Sequence, residues 1–253
     1  MNQLDRQRQL LQELDQRRQM SVADVMTALA VSRDTARRDI VAVTERGLAQ
    51  RIHGGLQVRN FGIGIPSYQD RLQQFTAIKT ALARRVLPLI TANQYVFIDV
   101  STTLLKLTQL LRQHCTVYTH SLDNAISLAT NPAVTLQLLG GELNQTNRFM
   151  AGTAALTALR PVHFDQVLVG AATVSAQGLF YSDAGDAAIK RQALSQTDRG
   201  ILVCEHRKFG QPARFCGGRL AQLQVVITDE PLTPTERAWF TPTTTFINLA
   251  EDD

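Results

Sequence analysis

Apolar positions follow two rhythms along this chain. Over the first sixty residues they recur at helical spacing, and beyond residue 75 short apolar runs alternate with helix-like stretches. Leu4, Leu10, Leu11 and Leu14 predict an amphipathic helix ending near Gln16, with Gln and Arg outside. The segment "SVADVMTALA" predicts a shorter helix capped by Ser21, with Val22, Val25, Met26 and Leu29 facing inward. After a break at Ala30 and Val31, Ser32 can cap a third helix. Its inward stripe is Ala36, Ile40 and Val43, and Gly47 stops it. Leu48, Gln50 and Ile52 followed by Gly54-Gly55 then predict a β-hairpin wing carrying Arg51 and His53.

Gly62, Gly64 and Pro66 without a clear period place a linker at 59–74, between a domain at 1–58 and a larger one at 75–253. Gly62-x-Gly64 is not a dinucleotide fingerprint, because no strand precedes it and Pro66 interrupts the helix it would need. Beyond it "AIKTALARRVLPLI" reads as a helix, "YVFID", "TVYT" and "VTLQLL" as strands, and Thr103 and Ser121 as helix starts. Strand "QVLVG", helix "DAAIKRQAL" and strands "GILVC" and "VVIT" follow. The expected class is α/β: a small winged helix-turn-helix domain, then a mainly parallel, Rossmann-like sheet domain.

Charge sharpens the first half of that picture. Residues 1–60 hold ten arginines and no lysine against seven acids, whereas the remainder holds 16 bases against 15 acids. Arg37 lies one turn after Arg33, Arg38 sits further round the helix, and Asp34 is spaced to tether Arg38. Ser32 and Thr35 stand at the helix start, where side chains reach base edges. A solvated charged face is the plainer reading of such a run; cap, turn, stripe and basic wing together favour DNA. The absence of a leader pattern or an apolar run of about 18 residues predicts a cytoplasmic protein that does not enter membranes. Cys115, Cys204 and Cys216 are too scattered for a CxxC pair and read as reduced, and no histidine spacing suggests a metal.

In parallel sheets, ligands bind beyond the strand carboxyl ends, at helix N-termini. "VFIDVSTTLLKL" fits that place: Asp99 ends a strand, and Ser101, Thr102 and Thr103 offer hydroxyls and N–H groups where a helix opens. These residues suit a phosphate cradle and a plain helix cap about equally. Thr119, His120 and Ser121 repeat the arrangement, and Gly140-Gly141 suits either a close ligand approach or a tight turn.

The stretch "MSVADVMTALAVSRDTARRDIVAVTERGLAQRIHGG" resembles the N-terminal domain of the DeoR family of bacterial sugar-metabolism regulators. The matching positions are Val31, Ser32, Thr35, Arg37, Arg38, Asp39, Gly47, Arg51, His53, Gly54 and Gly55, with Ile40 for leucine. The resemblance implies operator binding, usually repression, with Ser32, Thr35, Arg37, Arg38, Arg51 and His53 as DNA contacts. It also implies a sensor domain similar in fold to ribose-5-phosphate isomerase. Its loops match here at Asp99, Ser101, Thr102 and Thr103; at His120 and Ser121; at Gly140 and Gly141; at Asp186 with Lys190; and at Glu205 and Lys208, with Arg207 beside them. A phosphorylated sugar effector, a homo-oligomer and no cofactor or catalysis are thereby implied. Ser101 replaces a glycine, His120 an asparagine and Ala172 an aspartate of the family pattern. Those departures keep open a pocket retuned to a non-phosphorylated ligand, while the lost carboxylate weakens the other alternative, a sugar-phosphate isomerase-like enzyme.

Overall fold

In the computed structural model, residues 3–17, 19–45, 48–57, 68–210 and 214–250 are described, and the chain divides into two units, Met1–Gly64 and Ile65–Asp253. The first contains α1 (Gln3–Arg17), β1 (Gln19–Ser21), α2 (Val22–Leu29), α3 (Arg33–Glu45), β2 (Gln50–Ile52) and β3 (Gly55–Gln57). Leu10 and Leu14, Val25 and Leu29, and Ala36, Ile40 and Val43 bring the three helical stripes into one core, closed by Met20, Ala49 and Leu56. Ser21 and Asp24 form a reciprocal capping box at the start of α2. Ala30, at φ 51°, turns the chain out of that helix. The stop expected at Gly47 lies outside the described residues.

The wing is three-stranded, in the order β1-β3-β2. Strand β1 was invisible in sequence because three residues cannot establish an alternation. It explains Gly55: a Cβ there would lie 2.1 Å from the Met20 carbonyl oxygen, so the strands meet only if this residue is glycine.

The second unit opens with α4 (Tyr68–Gln73) and α5 (Thr76–Val86). Residues 59–67 of the expected linker lie outside the described residues. Tyr68–Gln73, also assigned to it, is helical instead, because Tyr68 is buried and anchors the turn. There follow β4 (Tyr95–Ile98), α6 (Thr102–Leu110), β5 (Cys115–Thr119), α7 (Leu122–Leu128), β6 (Val134–Leu138), β7 (Glu142–Asn144), β8 (Phe149–Ala151) and α8 (Thr153–Leu159). Then come β9 (Gln166–Val169), β10 (Thr173–Ser175), β11 (Gly178–Tyr181), α9 (Ala184–Leu194), β12 (Gly200–Val203), β13 (Phe215–Gly218), β14 (Leu223–Thr228), α10 (Pro234–Arg237) and β15 (Thr245–Asn248).

Seven of these strands form a parallel sheet in the order β15-β14-β12-β9-β4-β5-β6. Alternate residues feed two cores: Phe97, Val167, Val169, Leu202 and Val226 on one face, and Val96, Ile98, Leu168, Ile201, Val203 and Ile227 on the other. The chain lays down β4, β5 and β6 in one direction and then returns to place β9 on the far side of β4. The switch point therefore lies between β4 and β9, where such sheets open a crevice. The antiparallel sheet β10-β11-β13 and the hairpin β7-β8 were not foreseen. No described helix is long and apolar enough to cross a membrane.

Candidate functional site

Helix α3 has one buried and one exposed face. Ala36, Ile40 and Val43 are buried, while Ser32, Arg37 and Arg38 are exposed, Thr35 is half-buried, and Arg51 and His53 are exposed on the wing. Ser32 Oγ accepts from the Thr35 N–H at 3.3 Å and lies 3.0 Å from Thr35 Oγ1, so these hydroxyls first organise the helix start. The tether expected between Asp34 and Arg38 is not among the ion pairs of the described residues. The helix instead anchors through Asp39, fully buried, whose carboxylate accepts from Arg6 of α1 at 2.8 and 3.2 Å. Its role was legible in part, since Asp39 is three residues after Ala36 on the inward stripe. With α3 fixed by that fork, Arg37 and Arg38 are left to point outward.

In the second unit the loops after β4, β9 and β12 converge. A Cβ on Gly170 would lie 2.7 Å from Ser101 Oγ and 3.7 Å from the Val203 carbonyl oxygen, so this glycine lets three strand ends meet. Asp99, fully buried, accepts from the Gly170 N–H at 2.9 Å through Oδ2. Ser101 caps α6 by accepting from the Thr103 N–H at 3.3 Å. Thr102 and Thr103 are buried behind it. One strand over, Ser121 caps α7 and Asn124 donates to the Asp99 carbonyl oxygen at 2.8 Å, tying the ends of β4 and β5 together. Asn124 was not singled out in sequence, where "LDNA" reads as ordinary helix.

A charged cluster occupies the interior of the switch point. Lys190 Nζ lies 3.0 Å from both Asp99 Oδ2 and Asp186 Oδ2, and 3.9 Å from the centroid of the Tyr181 ring. His120, stacked on Phe97, places Nε2 2.9 Å from Asp186 Oδ1. Lys190 is thus buried and held by two carboxylates rather than presented to an incoming phosphate, because its i, i+4 spacing from Asp186 closes the pair within α9. Burial raises Asp99, with Lys190 offsetting part. Burial also opposes ionisation of Asp186, but Lys190 and His120 outweigh it and hold that carboxyl low. Lys190 is likewise held high by Asp186 and Asp99 against the cost of burial. Two carboxylates sharing one ammonium titrate as a unit, and Asp99 is the member closer to taking a proton.

Across β9, Glu205 is buried with Lys208 Nζ 2.7 Å from Oε2 and Arg207 Nη2 3.3 Å from Oε1. Gly140 and Gly141 are exposed after β6, and Gly141, at φ 137°, packs against the Ala151 carbonyl. The backbone of Leu139 bonds to Thr119, which brings this loop beside His120 and Ser121. Among the described residues, Asp99 Oδ1, Thr103 Oγ1, His120 Nδ1, Asn124 Oδ1 and Arg207 Nε are buried without a hydrogen-bond partner. Buried polar atoms are ordinarily paired, so a concentration of exceptions at strand carboxyl ends has the chemistry of a ligand site.

Glu205 makes this region acid-sensitive. Burial opposes its ionisation, but Lys208 and Arg207 outweigh that and bring its pKa from 4.5 down to about 2. A carboxyl depressed in the folded state stabilises fully above its unfolded pKa and loses that contribution as pH falls through its folded one. The expected loss is about 3 kcal/mol over that interval. Urea unfolding from pH 6 to pH 2.5 should show a shallower stability decline for Glu205→Gln than for the parent; parallel declines would contradict the assignment.

A family model described as the DeoR-like helix-turn-helix domain matches residues 6–60, and one described as the DeoR C terminal sensor domain matches residues 74–230. The chain is 31% identical over 221 residues to the HTH-type transcriptional repressor GlcR of Bacillus subtilis (strain 168), covering 87% of this chain and 86% of that one. It is 27% identical over 234 residues to the glycerol-3-phosphate regulon repressor of Escherichia coli (strain K12), covering 91% and 92%. Among solved structures, ribose 5 phosphate isomerase A from Neisseria gonorrhoeae overlaps 54% of each chain at 13% identity with a TM-score of 0.37.

Proposed function

The chain belongs to the DeoR family, and from that premise we propose that it is a transcriptional repressor of sugar-metabolism genes whose operator binding is changed by a phosphorylated sugar. In this reading the N-terminal unit, residues 1–58, reads DNA, and the unit from 75 onward senses the effector. Arg37 and Arg38, with Ser32 and Thr35 at the helix start, enter the major groove; Arg51 and His53 contact the backbone from the wing. Paired half-sites call for a homo-oligomer, and the setting is the cytoplasm.

The effector lies at the switch point. Ser101, Thr102 and Thr103, with the N-terminus of α6, cradle its phosphate with Lys208, while His120, Ser121 and the Gly140-Gly141 loop line the sugar. Asp99, Asp186, Lys190 and Glu205 fix the charge of the crevice from within. The observation that carries the reading is the set of buried, unpartnered polar atoms gathered in those loops. Signalling rather than turnover fits this arrangement, because Asp186 and Glu205 are each committed to cations and so are poor general bases.

Calorimetric titration with pentose and hexose phosphates and their unphosphorylated parents tests it. A phosphorylated sugar should bind, its parent should not, and Thr103→Val or Lys208→Gln should weaken binding at least about tenfold, the loss of one strong polar contact. Equal affinity for phosphate and parent would favour the retuned pocket instead.

A further inference from the structure

The two edges of the parallel sheet differ in how they are finished. At β15, Arg237 lies 5.1 Å over the ring of Phe246, and Asn248 is buried with its side-chain oxygen accepting from the Ala250 N–H. Strand β6, at the other end, pairs with β5 through five consecutive residues, Cys115↔Val134 to Thr119↔Leu138, without a bulge. Thr135, Gln137 and Leu138 are exposed and Val134 and Leu136 half-buried, whereas β9 and β12 are buried throughout. Open edges are ordinarily blunted by a charge, a proline or a bulge within the strand. Here Pro132 stands before β6, and no charged residue lies between Asp123 and Glu142. Asp123 is itself held by Arg148 at 2.6 to 2.9 Å.

The backbone of β6 fits a second copy of itself. Cys115 N–H donates to the Ala133 carbonyl oxygen and Leu139 N–H to that of Thr119. In a parallel ladder residues 133, 135, 137 and 139 then face β5, while Val134, Leu136 and Leu138 turn their N–H and C=O groups outward. The Val134 N–H is already taken by the Asn131 carbonyl oxygen. Antiparallel pairing about a two-fold axis at Leu136 sets that residue against its own copy and Leu138 against Val134 of the second copy. The free N–H groups of Leu136 and Leu138 thereby meet carbonyls, and the donor already used falls at the end of the ladder.

Side chains agree with that register. Val134 and Leu136 pack with Leu128 of α7, and Leu138, 41% exposed, follows them on the same sheet face. Across the seam apolar residues meet apolar ones. Ile126 of α7, at 58%, is the most exposed large hydrophobic among the described residues. An uncharged edge meets its copy without like-charge repulsion and gives a charged partner nothing to pair with.

We propose that β6 is the seam of a homodimer, in which two β6 strands pair antiparallel, join the sheets of two sensor units and are closed over by Ile126 of each copy. The proposal rests on the homo-oligomer of the reading above and names its surface. A two-fold axis is also the symmetry that paired half-sites require.

Sedimentation equilibrium of the full chain tests it. The parent should associate, and Leu138→Lys, which puts an ammonium into the seam from each copy, should weaken association at least about tenfold with an unchanged circular dichroism spectrum. Thr135 and Gln137 of opposite copies form a non-hydrogen-bonded pair in this register, about 4.5 Å apart at Cα and within reach of a disulfide. Thr135→Cys with Gln137→Cys should therefore give a reducible dimer with oxidised glutathione, whereas Thr135→Cys alone and the parent should not. Association that survives Leu138→Lys in full, or no cross-link in the double variant, overturns the seam and leaves the homo-oligomer standing. A parent that is monomeric overturns both, and one whose β6 instead takes up an unrelated neutral strand peptide makes the occupant another chain and overturns the seam.

Discussion

Replacing Lys190 with methionine should cost about 3–5 kcal/mol of folding stability, the range for removing one partner of a buried ion pair. Methionine matches the length of the stem and its contact with the Tyr181 ring, so the change isolates the charge. What remains is Asp99 and Asp186, both buried, each having lost an ammonium 3.0 Å away. Asp186 should then rise above its unfolded value and Asp99, already raised by burial, should rise further, and a raised carboxyl destabilises most at high pH. The deficit should accordingly shrink as pH falls from 7 toward 5, while the parent protein weakens on further acidification as Asp186 and Glu205 take up protons. Adding Asp99→Asn to Lys190→Met should restore part of the loss. Urea unfolding at several pH values reads all three effects, and a deficit below about 1 kcal/mol that ignores pH would refute the buried-charge account.

Alanine at Arg37 or Arg38 should weaken operator binding by about 1–3 kcal/mol, roughly 5- to 150-fold, wherever that arginine reads a base. If it contacts only phosphate, the loss should be uniform across sequences and the salt slope should drop by about one. Both arginines are exposed and no ion pair engages either among the described residues, so folding stability should stay within about 0.5 kcal/mol. Binding and folding thus separate cleanly at these positions. Asp39→Asn should do the reverse first, loosening α3 from Arg6 before any DNA is present, visible as a lower melting temperature. Unchanged operator affinity in both alanine variants would remove the arginines from the interface.

The helices of the first unit and the parallel strands of the second were legible because each repeats its period over enough residues to declare a buried face. Strand β1 and the sheet β10-β11-β13 were not: β4, β9 and β12 are just as short but belong to apolar runs buried on both faces, whereas "QMS", "TVS" and "FCGG" carry no such run and are selected by their partners. Ser101, Thr103, His120 and Ser121 could be nominated from the rule that ligands sit at strand carboxyl ends, and the fold places them there, at the starts of α6 and α7. Lys190 and Lys79 show where such reasoning stops. A lysine in a helix looks solvated until the fold supplies two carboxylates for one and the backbone carbonyl of Arg71 for the other. Asn124 was missed for the same reason, since its partner is distant in sequence.

The central claim is that one chain reads DNA and a phosphorylated sugar together. Fluorescence anisotropy of the purified protein on its own upstream DNA, at fixed salt, tests it with and without a panel of sugar phosphates and their parents. The account predicts sequence-specific binding that one phosphorylated sugar shifts about 5- to 150-fold, the usual size of such coupling, while its parent does not. Specific binding that no sugar phosphate alters, or no specific binding at all, would contradict it.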